Sequence, residues 1–320
     1  MSKPKRKLAV VALGGNALLR DNEKGTIEEQ ESNTYDTIEN LVFLLKLGCN
    51  LVITHGNGPQ IGNILMRNDA GEQMYDIVQM PLNVCVADSQ GGIGYMIERI
   101  LRNVLVEHGI QRNVVTLVSM VEVSPYDNSI ENPSKRIGKF YSSQEAKILA
   151  DTKGWQFKPT SKRAEAFRRV VPSPFPLTIF NSETIKQLAN SGTIVIAAGG
   201  GGVPVFFDDK GGVRTVNGVV DKDLASAQLA AQINADELYI LTDVPFVYKD
   251  FGLPTQEKLE FLDYASTNNY LAQGVFSEGT MEPKVRAALL FLEKGGKQSV
   301  ITEARKLADK SYGTKITMKI

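Results

Sequence analysis

Lys7-Leu8-Ala9-Val10-Val11-Ala12-Leu13 is an apolar run that breaks abruptly into Gly14-Gly15-Asn16, and this strand-then-glycine junction sets the reading of the whole chain. Helical periodicity follows over roughly Glu28 to Leu47: Ile38, Leu41, Val42 and Leu45 fall at i, i+3, i+4 and i+7, and Gly48 supplies the stop. A second strand, Asn50 to Thr54, runs into His55-Gly56-Asn57-Gly58. Strand, helix and strand in this order form a βαβ unit, and continued alternation along the chain predicts an α/β fold with a mainly parallel sheet.

Working outward, helices are expected from Pro59 to Met66 and from Leu82 to His108, the second interrupted at Gly91-Gly92-Ile93-Gly94, and a strand from Val114 to Met120. Between about 124 and 176 the pattern dissolves into Pro, Ser, Lys, Arg and Asn, the profile of a functional lid. The rhythm resumes with a helix near Glu183 to Asn190 and a strand Thr193 to Ala198 that enters Gly199-Gly200-Gly201-Gly202. Asp208 to Gly212 reads as a hairpin tip. A helix then follows Asp221-Lys222-Asp223 to about Ile233, with a strand Glu237 to Thr242 and a loop Asp243 to Gly252 after it. A final helix, Pro283 to Glu293, and strands near Gln298 to Thr302 and Lys315 to Met318 close the chain. The expected architecture is a three-layer αβα sandwich around a central mainly parallel sheet, with a protruding lid subdomain at about 124–176. Residues 1–212 would form one lobe and 213–320 the other.

Lys+Arg and Asp+Glu are balanced at 36 each in 320 residues, and this neutrality argues against a nucleic-acid partner. No apolar stretch approaches the roughly 20 residues of a membrane-spanning helix, so a soluble, cytoplasmic protein is expected. The basic start Ser2 to Lys7 reads as a disordered leader. Cys49 and Cys85 have no metal-like spacing and read as buried small apolar residues. His108, beside Gly109, reads as a helix C-terminal residue. His55, the other of the two histidines, would at most orient its glycine loop. The sequence therefore carries no Ser/His/Asp signature and no metal-binding histidine cluster.

Three glycine-rich loops, Gly14-Gly15-Asn16, Gly56-Asn57-Gly58 and Gly199 to Gly202, each follow a strand. The carboxyl ends of parallel strands share one edge, so the loops can converge on a single anion whose oxygens the backbone N–H groups approach closely. Any one of them could be a mere turn; three together favour a phosphate cradle. The chain has neither G-x-x-x-x-G-K-[ST] nor G-x-G-x-x-G after the first strand, so it is no P-loop enzyme and a poor dinucleotide oxidoreductase. Lys222, between Asp221 and Asp223 at a helix mouth, would by itself be read as a solvated lysine. Phosphoryl transfer, however, needs fixed positive charge, and flanking carboxylates keep an ammonium protonated and ordered. Lys284 lies in the first turn of its helix off the Val285/Leu289/Leu292 stripe, where a cation gains nothing for the helix. Lys135, in the polar excursion, carries a weaker signal.

With those residues placed, the chain resembles the carbamate kinases of the amino acid kinase family over essentially its full length. Six strings in order carry the resemblance: Ala12 to Leu18 (ALGGNAL), His55 to Gly62 (HGNGPQIG), Ser89 to Tyr95 (SQGGIGY), Gly199 to Val205 (GGGGVPV), Asp221-Lys222-Asp223, and Met281-Glu282-Pro283-Lys284. Relatives acting on N-acetylglutamate or UMP normally place a lysine just before the first glycine loop, where this chain has Ala12-Leu13. The resemblance implies that Lys222 supplies that charge. Thr280 replaces a usual serine, and Arg136 and Lys139 stand where lid prolines are common, so any of the lid cations Lys135, Arg136 or Lys139 could reach the substrate.

The resemblance implies reversible transfer between ATP plus carbamate and ADP plus carbamoyl phosphate in a homodimer, used to make ATP from carbamoyl phosphate in arginine catabolism. Magnesium would be held mainly by the phosphates, with no protein ligand. Gly14, Gly15, Asn16, Gly56, Asn57 and Gly58 are assigned to the carbamoyl and transferred-phosphoryl side, closed by Lys135. Lys222 and Lys284 would bridge the phosphates, oriented by Asp223, with Gly200 and Gly201 close by. Thr242, Asp243, Val247, Tyr248 and Met281 would meet the nucleotide. The competing readings are another kinase of the family, acting on N-acetylglutamate, UMP or an amino-acid carboxylate, and a non-catalytic nucleotide sensor on the same scaffold.

Overall fold

All six residues of β1 (Leu8–Leu13) are buried, because both faces of this strand are covered. The structure, a computed structural model, describes residues 6–20, 23–160, 166–277, 279–309 and 311–319, so most of the basic leader lies outside the described residues. α1 (Ile27–Lys46) starts at a capping box in which Thr26 accepts from the Glu29 amide and Glu29 returns a contact to the Thr26 amide. β2 (Asn50–His55) is followed by α2 (Gly58–Tyr75), α3 (Leu82–Glu107), β3 (Val114–Thr116) and β4 (Met120–Val123). His108 is the C-cap of α3, and both cysteines are buried and free.

The excursion is far from structureless, which corrects the expectation for this stretch. It contains α4 (Asn128–Glu131), β5 (Lys135–Tyr141), α5 (Ser143–Lys153), β6 (Gln156–Pro159) and β7 (Phe167–Val171), of which the strands form an antiparallel sheet in the order β5-β7-β6. A bulge between Ile137 and Phe140, with Gly138 at φ 68°, shifts the register and hides the period-two signal. Only Ala146 of α5 is buried, so that helix presents no apolar stripe.

The chain continues through β8 (Pro176–Ile179), α6 (Ser182–Asn190), β9 (Ile194–Ile196), β10 (Val203–Phe207), β11 (Val213–Thr215), α7 (Lys222–Gln232) and β12 (Glu237–Thr242). It ends with β13 (Val247–Lys249), β14 (Glu257–Leu259), β15 (Phe261–Asp263), α8 (Tyr264–Ala272), α9 (Glu282–Glu293), β16 (Gln298–Glu303) and β17 (Thr314–Thr317). Periodicity misses β13, β14, β15 and α8 because the strands are three residues each and α8 buries only Thr267.

The central sheet has the order β15-β17-β16-β12-β1-β2-β9-β3, and every neighbouring pair is parallel except β16–β17, so β15 and β17 run opposite to the rest. β1 sits at its middle, with Leu8 beside Asn50 and Ala12 beside both Thr54 and Ile240. Alternate residues feed two cores. Ala9, Val11 and Leu13 pack with α1 and α3, whereas Leu8 and Val10 pack with α6, α7 and α9, giving the αβα sandwich. A third apolar cluster joins Ile137 and Val171 of the lid to Ile61 of α2 and Leu82 and Val86 of α3.

Two further expectations give way. Residues 114–120 form no single strand, since β3 joins the central sheet and β4 a second sheet of order β11-β10-β4-β8. α3 runs unbroken through Gly91 to Gly94 because Gly94 lets the helix lie against β3: a Cβ there would come within 2.3 Å of Thr116 Cγ2. The Thr116 hydroxyl donates to the Gly94 carbonyl (3.1 Å) and Glu98 Oε2 (2.8 Å), so its rotamer is pinned. Gly94→Ala should therefore cost about 1–3 kcal/mol by overpacking. Gly91→Ala, with nothing within 4 Å of the new Cβ, should gain roughly 0.5–1 kcal/mol from helix propensity. Urea unfolding of the two variants beside the parent decides both signs.

Candidate active site

The three glycine turns interlock at the carboxyl edge of the sheet. A Cβ on Gly14 would lie 2.6 Å from the Leu241 carbonyl oxygen, so only glycine lets the end of β1 rest on the end of β12. A Cβ on Gly56 would sit 3.2 Å from Lys222 Cδ and 3.9 Å from the Gly15 amide nitrogen. Gly200 has φ 62° and would clash at 2.2 Å with Asn57 Nδ2, and Gly201 has φ 89° and would meet the Val220 carbonyl at 2.8 Å. Gly15 and Gly58 have open space at the Cβ position. The side chain of Asn16 lies outside the described residues.

Against these turns stands a cluster of charges from two helices and the lid. Asp221 caps α7, its Oδ1 accepting from the amides of Asp223 (2.9 Å) and Leu224 (3.2 Å). Its Oδ2 accepts from Lys135 Nζ of β5 at 3.3 Å. Lys222 Nζ donates to Asp223 Oδ1 at 2.5 Å, and Lys284 Nζ, from the first turn of α9, donates to Asp223 Oδ2 at 3.1 Å. The expectation that Lys222 is gripped by both neighbouring aspartates is thus corrected: Asp221 serves the helix cap and the lid, while Asp223 serves both lysines. Its side chain is 4% exposed, against 16% for Lys222 and 15% for Lys284. Burial presses the Lys222 pKa below 10.5, Asp223 opposes that fall and Lys284 adds to it. Burial would lift the Asp223 carboxyl, but the two lysines outweigh it and hold the group below the usual carboxylate range.

Hydroxyl and amide side chains, all but Asn57 left without a role by sequence reading, set the turns in place. Thr54 and Ser226 share a 2.6 Å hydrogen bond behind Lys222. Asn57 Nδ2 donates to Ser89 Oγ at 2.9 Å. Gln90 pairs with Ser119 as one peptide group does with another, donating to its carbonyl (3.1 Å) and accepting from its amide (2.9 Å). Ser119 Oγ then accepts from the amide of Ala198 (2.9 Å), the left-handed residue at φ 51° that opens the tetraglycine turn. Isolated polar residues such as Thr54, Ser119 and Ser226 carry no periodic signal. His55 Nδ1 lies 2.9 Å from the Gly56 carbonyl, and a Cβ on Gly199 would strike its Nε2. Burial, with Lys222 adding a smaller push, lowers the His55 pKa to about 4, against which the Gly56 hydrogen bond acts. The imidazole is therefore neutral at pH 7, with Nδ1–H donating to the carbonyl.

A cleft of about 730 Å³ runs from Gly14 and Gly15 along the ends of β12 and β16, and Lys284 stands on its wall. Thr242, Asp243, Tyr248 and Met281, the residues expected to meet a nucleotide, line it. Val247 does not: it is fully buried, and its amide donates to Thr314 Oγ1 at 2.7 Å, so it supports the wall from behind. Arg20, Phe251, Phe276 and Arg305 also line the cleft and were not anticipated; Phe251 packs against Tyr248 with ring centroids 5.6 Å apart and planes tilted by 42°. Among the described residues no three His, Cys, Asp or Glu side chains group as a metal site. The Asp223 carboxylate is taken up by ammonium groups.

The family pattern that matches this chain, over residues 7–303, is that of the amino acid kinase family. The carbamate kinase of Pyrococcus horikoshii is 43% identical, with 96% of this chain and 98% of that protein covered. That of Pyrococcus furiosus is 43% identical, with 96% and 97% covered. A solved structure of carbamate kinase from Giardia lamblia bound to AMP-PNP superimposes with a TM-score of 0.90 at 38% identity, covering 98% of each chain.

His55 makes the folded state sensitive to acid. Its folded pKa of about 4 lies below the 6.5 of a free imidazole, so the unfolded chain takes up the proton first. The stability tied to this group is complete above the unfolded value and lost as pH falls from about 6.5 towards 4, by roughly 3 kcal/mol. His55→Gln should flatten that limb. Urea unfolding at intervals between pH 7 and 4 should show a shallower decline for the variant; parallel curves would assign the acid limb to other groups.

Proposed function

The chain belongs to the amino acid kinase family, and from that premise we propose that it is a carbamate kinase, moving a phosphoryl group between ATP and carbamate at the junction of the cleft with the three glycine turns. The observation that carries this reading is Asp223 holding Lys222 and Lys284 side by side, the first against Gly56 and the second on the wall of the cleft. Phosphoryl transfer asks for little covalent chemistry and much positioned positive charge. Two ammonium groups fixed on one carboxylate supply that charge on both sides of the transferring group.

The acceptor explains what the site omits. Carbamate already bears an ionised oxygen, so no general base is needed to form the nucleophile, and a histidine of pKa about 4 would be a poor base at neutral pH. The remaining work is to bring two anions into line and to neutralise charge as it spreads over the phosphoryl oxygens. In this proposal the amides around Gly14, Gly15, Asn16, Gly56, Asn57 and Gly58 receive the carbamoyl and phosphoryl oxygens, with Gly200 and Gly201 beside them. Lys135 closes over that side from the lid. Residues 1–212 would then carry the acceptor and residues 213–320 the nucleotide, whose base lies against Tyr248 and Phe251 near Thr242, Asp243 and Met281. Magnesium enters with the nucleotide as part of the substrate, on its phosphates, and no protein ligand is assigned to it. A homodimeric, cytoplasmic enzyme that makes ATP from carbamoyl phosphate in arginine catabolism is the setting the family suggests.

The test is ATP formation from ADP and carbamoyl phosphate, run beside acetyl phosphate, an N-acetylglutamyl phosphate and UDP. Turnover confined to carbamoyl phosphate is expected. Turnover with another donor would move the chain to a different kinase of the family, and nucleotide binding without turnover would make it a sensor. Lys222→Ala should lower kcat by about a hundredfold or more with the fold intact, the scale of losing one preorganised electrostatic donor; near-normal turnover would remove Lys222 from the mechanism. Amide exchange in the lid, residues 124–176, should slow when nucleotide and an acceptor analogue are both bound, and equal exchange with and without them would deny the lid a part.

A further inference from the structure

Apart from the site just described, a second cavity of about 420 Å³ opens where the lid meets the body. Its walls include Trp155 and Arg169 of the lid, Asn68 and Asp69 of α2, and Thr215 and Asn217 at the end of β11. Arg169 lies on β7 opposite Ile137, on the lid face that packs onto α2 and α3, and is only 8% exposed. Its guanidinium stacks on the Trp155 ring, 3.7 Å from the centroid, and forms no salt bridge among the described residues. The neighbouring cations have partners, although Lys153 Nζ also lies 5.3 Å from the Trp155 ring centroid. Lys153 pairs with Glu72 at 2.5 Å, and Arg168 donates to the Gly138 carbonyl at 2.9 Å.

A buried guanidinium that no carboxylate meets within ion-pair distance is costly, whereas a planar fork stacked on an aromatic ring is preorganised to bind one. Asp69 lies in the same cavity, its Oδ1 accepting from Gln79 Nε2 at 2.8 Å; it offsets part of the guanidinium's charge and opposes an anionic ligand in proportion to that ligand's charge, a dianion more than a monoanion. We propose that this cavity binds a small monocarboxylate, its two oxygens paired with the Arg169 guanidinium and its body against Trp155. The site is separate from the glycine turns and does not rest on the proposed transfer reaction.

Trp155 is the only tryptophan of the chain, so its indole N–H gives a single cross-peak in a nitrogen–proton NMR spectrum that reports on the cavity. Sodium acetate added to the full-length protein, with ionic strength held constant by sodium chloride, should shift that peak saturably. Inorganic phosphate near pH 7.5, largely a dianion, should bind at least several-fold more weakly. Arg169→Gln should weaken the acetate response at least tenfold, while Lys222→Ala should leave it intact, which separates this cavity from the phosphoryl-transfer site. Should Arg169→Gln fail to fold, Asp69→Asn decides: removing that charge should tighten acetate several-fold and admit phosphate. No saturable shift in the parent, an undiminished response in folded Arg169→Gln, loss of the response in Lys222→Ala, phosphate binding as tightly as acetate, or an Asp69→Asn variant indistinguishable from the parent would each overturn the proposal.

Discussion

One buried carboxylate, shared by ammonium groups from two helices, is the interaction around which this molecule is arranged. Lys222 and Asp223 open α7, Lys284 sits in the first turn of α9, and both helices direct their N-termini at the same spot. Cations there oppose the helix dipoles, and taking three charges out of water costs more than their attraction reliably returns. Apolar residues of the same volume would make a comfortable helix contact. Stability therefore does not explain the arrangement. The phosphoryl transfer proposed above would explain it, because a transferring phosphoryl group needs fixed positive charge already in place.

Holding that charge beside the glycine turns is the work of the central sheet. β1 and β2 are buried along their whole length, and their alternate side chains key into separate cores on the two faces. Strand ends so constrained leave little freedom to the turns that follow, and close packing does the rest. Gly14 rests on the Leu241 carbonyl, Gly200 on Asn57 and Gly56 on the stem of Lys222, each at a distance that a methyl group would violate or crowd. Ser119, clamped by Gln90, then fixes the left-handed Ala198 from which the tetraglycine turn departs. The polar contacts behind the turns thus position backbone rather than side chains.

What the sequence disclosed follows this division. The alternation of β1, α1 and β2 is written in apolar periodicity because those elements are buried on broad faces, and a glycine run after a strand is conspicuous in one dimension. Lys284 was detectable by misfit, a cation with no benefit to its own helix. The lid strands were not visible as strands, since the bulge at Gly138 breaks the alternation and only Ile137 and Tyr141 of β5 face inward. Val247 reads like its neighbour Tyr248, yet one supports the wall and the other forms it, a difference decided by pairing with β14 and the bond to Thr314. The partner of Lys222 was misjudged for a related reason. Adjacency in sequence placed it between two carboxylates, whereas helix geometry turned one of them to the cap.

That turn of Asp221 has a consequence for how the lid is held. One of its oxygens fixes the start of α7 and the other meets Lys135 of the lid at 3.3 Å, so a single carboxylate ties the lid to the helix that carries Lys222. The tie is weak, because Lys135 is 36% exposed and ion pairs in water contribute roughly 0.2–1 kcal/mol. Lys222 and Lys284 are three-quarters or more buried and have no comparable freedom. Three ammonium groups also face only two carboxylates here, which leaves one positive charge uncompensated. An arriving anion meets both conditions at once: it answers the surplus charge, and it competes with Asp221 for the one lysine that can move at little cost. In the proposed reaction, with rigid cations behind the substrate and a lightly held one before it, closure of the lid would be a matter of exchanging a weak partner for a better one.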